Sequence, residues 1–210
     1  MNLLALETSL PHASLCLACD GEVVLSAAWI AARNHDAELF PALRRALDAL
    51  GERPLDYILV GSGPGSYGGV RVALAAAAGI ALVTGARVVA VPSWAQLAEG
   101  DACVLSDAKR GGWTLYRPDG SISVVSLEEL KGLMAEGLTV YSVERADTLS
   151  GYGIHADKTD LVPTAEGLVH SWLHLTDAEQ QELAAKPAEP IYVRPPHITE
   201  AKHKPWEIRS

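Results

Sequence analysis

No lysine precedes Lys109 in this chain of 210 residues. That gap excludes a P-loop from the first half, because such a loop needs its Gly-Lys-Ser/Thr to reach the phosphates. Basic side chains are scarce throughout: 17 Lys and Arg stand against 26 Asp and Glu, a formal net charge of −9. A chain so acidic is a poor solo binder of nucleic acid, since neutralising phosphates takes clustered Lys and Arg. Cysteine is equally sparse, with three residues and no disulfide spacing. Cys16 and Cys19 form a Cys-x-x-Cys, but residues 13–19 read as a strand, where positions three apart face opposite sides. Packed thiols are therefore expected rather than a redox or zinc pair. No basic n-region precedes the short apolar run at 3–6. The longest uncharged apolar stretch, 72–86, falls short of the ~20 residues that a membrane span needs. These absences set the expectation of a cytoplasmic protein with no membrane association.

What is present is a globular composition, 49% apolar and 20% charged, and one run that dominates the rest. Residues 61–71 read Gly-Ser-Gly-Pro-Gly-Ser-Tyr-Gly-Gly-Val-Arg. The run follows a β-type apolar segment at 57–60 and opens an alanine-rich helix that continues to Thr84, with Gly85 as its stop. Five glycines between Gly61 and Gly69 cost chain entropy and are tolerated where backbone must approach something closely. That something could be a phosphate, another part of the chain, or another protein.

Around this run the first half reads strand (3–6), hairpin (13–19 and 22–29 about Asp20-Gly21), helix (Asn34 as cap, to about Leu50), strand, helix, strand (87–91). The second half restarts with a strand at 103–106 that ends at Asp107, as the first ends at Glu7. A hairpin about 118–120, a helix at 127–135 and a strand at 138–143 follow. Repetition of a whole strand–acid–hairpin–helix–strand unit implies a duplicated α/β fold of the actin-like kind. Residues 1–100 form the expected first lobe, and 101–210 a smaller second lobe with a proline-rich, locally basic tail.

Several motifs compete for function. Gly63-x-Gly65-x-x-Gly68 matches the dinucleotide fingerprint, but no acid stands about 20 residues on to hold a ribose. Ser66 resembles a nucleophile elbow without its leading glycine, and reads better as a helix N-cap. His170 and His174 share a helix face at metal-ligand spacing, with no third ligand nearby. Glu7 and Asp107 occupy the places of phosphate- and metal-site acids in actin-like kinases, yet no phosphate-loop glycines follow Glu7. The alanine-rich helix is apolar all round, and its far side, near Arg71, Leu74, Ala75, Ala78 and Leu82, needs a second cover. The first helix of the same lobe and a helix of another protein are both candidates for that cover.

These residues resemble one family. Leu4-Ala5-Leu6-Glu7-Thr8-Ser9, Asp20-Gly21-Glu22, His35, the 61–71 run, Val91-Pro92-Ser93-Trp94, Asp107-Ala108-Lys109-Arg110-Gly111 and Pro190-Ile191-Tyr192-Val193-Arg194 are similar to the bacterial TsaB (YeaZ) family. The match is dense to about residue 110 and sparse beyond. The resemblance implies an actin-like (ASKHA) fold and a non-catalytic subunit of the machinery that makes N6-threonylcarbamoyladenosine in tRNA. It also implies a TsaD-like catalytic paralogue and a TsaE-like ATPase as partners, a homodimer when alone, and tRNA contact only through the complex. No cofactor is expected on this chain, any nucleotide or metal belonging to the catalytic partner. The paralogue's metal-binding His-x-x-x-His has no counterpart at 92–97. The implied interface comprises the helices at about 34–50 and 67–84, with His35, Leu39, Gly65, Tyr67, Gly68, Arg71, Leu74, Ala75, Ala78 and Leu82 as its residues. Glu7 stands where the family usually has Asp, and Gly68 where Thr is common. A stand-alone actin-like enzyme, either a small-molecule kinase or a peptidase, is the other reading.

Overall fold

The structure, a computed structural model, describes residues 1–31 and 36–193. It is built on two sheets. The first lobe holds β1 (Asn2–Glu7), β2 (His12–Cys19), β3 (Glu22–Ile30), α1 (Asp36–Leu50), β4 (Tyr57–Gly61), α2 (Tyr67–Thr84) and β5 (Arg87–Val91). Its five strands are ordered β3-β2-β1-β4-β5, antiparallel through the hairpin and parallel from β1 to β5. The second lobe holds β6 (Cys103–Asp107), β7 (Gly112–Tyr116), β8 (Ile122–Ser126), α3 (Leu127–Ala135), β9 (Val140–Ser142) and α4 (Ala146–Gly151). Its order, β8-β7-β6-β9, repeats the first four strands of the other sheet. The duplicated, actin-like two-lobe α/β architecture expected from the repeat is thus present.

The central strand β1 is buried along its whole length because helices cover both of its faces. Leu4 and Leu6 point to one side, where Leu39, Leu43 and Leu50 of α1 and Ala73 and Ala77 of α2 meet them. Leu3 and Ala5 point to the other, where Leu168, Val169 and Trp172 pack. Full burial of each such leucine is worth about 1.5–3 kcal/mol over leaving it exposed. Cys16 and Cys19 fall into these two opposite clusters as buried free thiols. Burial pushes the Cys16 thiol up to about 12, leaving it inert near neutral pH.

Trp172 belongs to α5 (Ala165–Leu173), which with α6 (Asp177–Ala185) returns from the second lobe to cover the first sheet. The expected boundary placed everything after residue 100 in the second lobe; α5 and α6 pack elsewhere because the first sheet has a second apolar face to bury. The α6 start carries a capping box, Thr176 with Glu179, a signal that sequence reading passed over. His170, in the last turn of α5, and His174, its C-cap, do lie on one side, with ring centroids 4.1 Å apart and both exposed. Among the described residues no group of three or more metal-ligating side chains forms. The proposed cap Asn34 and the interface residue His35 lie outside the described residues.

α2 is 18 residues long with a mean hydropathy of 1.5, enough by length and composition to cross a membrane. It is instead a layer of this lobe, laying Gly69, Val70, Ala73 and Ala77 against the sheet. Ser66 caps it through the Gly69 amide at 3.2 Å, and Gly85 closes it.

Candidate functional site

Two concave regions flank α2. One is the cleft between the lobes, of about 940 Å³, lined by Ser9, Ser66 and Tyr67 on one side and Asp107, Lys109 and Arg145 on the other. In an enzyme of this architecture a nucleotide would need free donors at the end of β1 and the start of α2. Here the backbone amides of Ser9 and Ser66 and the Thr8 hydroxyl are spent within the chain, while the Ser9 hydroxyl is buried with no partner among the described residues. Glu7, Thr8 and Ser9 are fully buried. The Ser9 amide donates to Glu7 Oε1 at 2.7 Å, Thr8 Oγ1 donates to the Gly69 carbonyl at 2.8 Å, and the Ser66 amide donates to the Ser9 carbonyl at 2.6 Å.

The glycines explain how the loop comes so close. A Cβ on Gly61 would overlap the Glu7 carboxylate, and one on Gly65 would overlap the Ser9 carbonyl. The close approach that the glycine run provides is to the chain's own first strand. On the opposite wall Asp107 is neutralised locally, taking the Lys109 amide at 2.6 Å and the Lys109 ammonium at 3.0 Å.

Burial is the dominant influence on Glu7 and pushes its carboxyl above the ordinary value of 4.5, while the Ser9 amide pulls the other way. Its Oε2 has no hydrogen-bond partner among the described residues. A raised folded-state pKa gives a contribution that is complete below the unfolded value and fades as pH rises through the folded one. Glu7→Gln keeps the shape and the Oε1 acceptor but cannot ionise. The melting-temperature difference, variant minus wild type, is therefore expected to grow as pH climbs from about 4.5 toward mildly alkaline values. A difference that stays flat across that range would contradict an ionisation-penalised Glu7.

The second region is an apolar groove of about 780 Å³ between α1 and α2. Phe40, Leu43 and Leu47 form one wall; Val72, Ala75, Gly79 and Val83 form the other. The Arg44–Asp48 pair, at 3.9 Å, sits on its rim. α1 thus covers only part of α2. Leu82 is left 88% and Val83 89% exposed, each leaving about 2 kcal/mol of burial unrealised.

The expected interface residues scatter around this groove. Ala75 lines it. Ala78 and Leu82 are exposed on the same helix, and Leu74 is half-buried against the core. Gly65, Tyr67, Gly68 and Arg71 are exposed at the helix start, where Arg71 donates to the Tyr67 hydroxyl at 3.1 Å. Leu39 is a correction: it is fully buried in the core and has no surface to offer, because the α1 stripe that contains it points inward. Sequence reading missed the outward stripe of the same helix. Phe40, the chain's one phenylalanine, is 54% exposed there, and its i, i+4 and i, i+7 relation to Arg44 and Leu47 was the available signal.

Gly79 sits mid-helix in the groove with open space around the place of a Cβ. A glycine there costs about 0.5–1 kcal/mol relative to alanine. Gly79→Ala is expected to raise the melting temperature by roughly 1–4 °C. It should also weaken whatever seats in the groove by raising its floor.

Fold and site together define a two-lobe actin-like protein with an apolar groove between two helices. A family model described as TsaD, tRNA N6-adenosine threonylcarbamoyltransferase, matches residues 28–139, more than half of the chain. The chain belongs to that family, on its TsaB/YeaZ side. Two solved structures stand close. A Pseudomonas aeruginosa protein described as uncharacterised with similarity to peptidase YeaZ has 27% identity and a TM-score of 0.68, over 92% of this chain and 99% of its own. YeaZ from Pseudomonas aeruginosa has 27% identity and a TM-score of 0.66, over 91% and 99%. No curated protein matches the sequence. The family relationship ties the chain to tRNA modification.

Proposed function

We propose that this chain is a non-catalytic scaffold and activator that docks a TsaD-type threonylcarbamoyltransferase through the α1–α2 groove. The observation that carries this reading is the groove itself. A long apolar helix keeps one side on its own sheet and leaves large side chains such as Val83 in solvent, lining an apolar groove of about 780 Å³. The family's catalytic members share this fold, so a paralogue can present matching helices, and a second copy of this chain can take the same place when the paralogue is absent. A TsaE-like ATPase joins the pair, and tRNA is met only by the complex, consistent with the net charge of −9. The filled loop between Glu7 and Gly69 supports assigning nucleotide and metal to the partner.

The stand-alone readings have less behind them. Ser66 spends its hydroxyl as a helix cap, and among the described residues no hydrogen bond joins a serine to a histidine. Reconstitution tests the proposal. Transferase, ATPase, tRNA, ATP and an activated threonylcarbamoyl donor should form threonylcarbamoyladenosine with this chain present and lose most of that activity without it. Phosphoryl transfer or peptide cleavage by the purified chain alone would replace the proposal with an enzyme.

A further inference from the structure

Residues 190–193, the last described stretch, have no regular structure and run across the glycine-rich loop that feeds α2. The Ile191 amide donates to the Ser62 carbonyl at 2.8 Å. The Tyr192 ring stacks on Tyr67, centroids 5.0 Å apart with 29° between planes. Tyr67 in turn holds Arg71, whose guanidinium carbon lies 5.1 Å from its ring centroid and whose Nη1 donates to its hydroxyl. A line of contacts therefore runs from the returning chain, through Tyr67, to a guanidinium that makes no ion pair among the described residues. Residues 190–193 and Tyr67 line the interlobe cleft, and none of them lines the α1–α2 groove. The segment braces the start of α2 from the cleft side and leaves the groove open.

We propose that residues 190–193 are a strap that orders the start of the docking helix. Tyr192 is its positioning residue, holding Tyr67 and through it Arg71 in the arrangement that meets an acidic side chain of the partner. The inference rests on the docking function above. Its physical basis is pre-organisation: an arginine already held by a phenol loses less rotamer freedom on association than a free one.

The test uses the full chain with Tyr192→Ala and Tyr192→Phe. In the free protein, the amides of Ser66, Gly69 and Val70 should exchange hydrogen about tenfold faster in Tyr192→Ala and at the wild-type rate in Tyr192→Phe. Unchanged exchange in Tyr192→Ala overturns the strap. Affinity for the TsaD-type transferase should fall about 5- to 20-fold in Tyr192→Ala, and in an Arg71→Ala background, where the ion pair is already lost, Tyr192→Ala should cost nothing further. Additive losses, or tighter binding by Tyr192→Ala, overturn the positioning role. A wild-type chain that fails to bind the transferase at all sinks the docking function instead, and the exchange measurement still decides the strap.

Discussion

Ala75→Trp leaves the isolated chain folded and abolishes its association with a TsaD-type transferase. Ala75 is exposed on α2 and lines the groove, so an indole there points into open space and removes no contact of the lobe with itself. It occupies the channel that a partner helix must fill. Interfaces between helices are packed as closely as cores, where excess volume costs about 1–3 kcal/mol or more. Blocking the centre of the groove is expected to cost at least ~100-fold in Kd, equivalent to about 2.7 kcal/mol. Calorimetric titration gives the affinity, and a thermal melt within about 2 °C of wild type shows that the fold is intact. Retained affinity would move the docking surface elsewhere on the molecule. The same variant should prevent self-association if the groove also joins two copies.

Gly65→Ala is expected to damage the fold itself. The added methyl meets the carbonyl of Ser9, and that carbonyl belongs to backbone fixed by the Ser66 amide and by the end of β1. A flexible side chain could swing aside; this group cannot. The expected loss is about 2–4 kcal/mol, or roughly 4–16 °C in melting temperature. Gly68→Ala, three residues on, finds nothing within reach of its methyl and should melt within a degree or two of wild type. The pair separates two roles inside one motif. Equal sensitivity at both positions would mean that the run is kept for external contact rather than for the approach to β1.

This contrast shows how far the sequence could be read. The glycine run signals that backbone comes close to something at residues 61–69, and its position between a strand and a helix fixes the topology. It does not carry the identity of the thing approached. Nothing in one-dimensional spacing tells that Ser9 and Gly65 touch, because the contact joins segments separated by the whole hairpin and α1. The duplicated strand order, the buried thiols, the Ser66 cap and the outward face of α2 were all legible, since each follows from local periodicity or local turn chemistry.

The return of α5 to the first sheet was not legible. Its partners, Leu3, Ala5 and Val89, are distant in sequence, and only the demand that both faces of a fully apolar strand be covered hints at it. Leu39 shows the reverse error. Position on a helix with an exposed side is not exposure, and the stripe that buries Leu39 leaves Phe40, its neighbour, at the groove. The role of residues 190–193 was hidden for a related reason: a proline-rich segment has no periodicity, and its contacts through Ile191 and Tyr192 appear only once the chain has folded back.

The most direct test of the central claim is native mass spectrometry of this chain mixed with the TsaD-type transferase of its own organism. The docking account predicts a complex containing both chains, formed at the expense of any homodimer and absent with Ala75→Trp. Separate species at micromolar concentration, with the chain's own oligomeric state unchanged by the transferase, would contradict it.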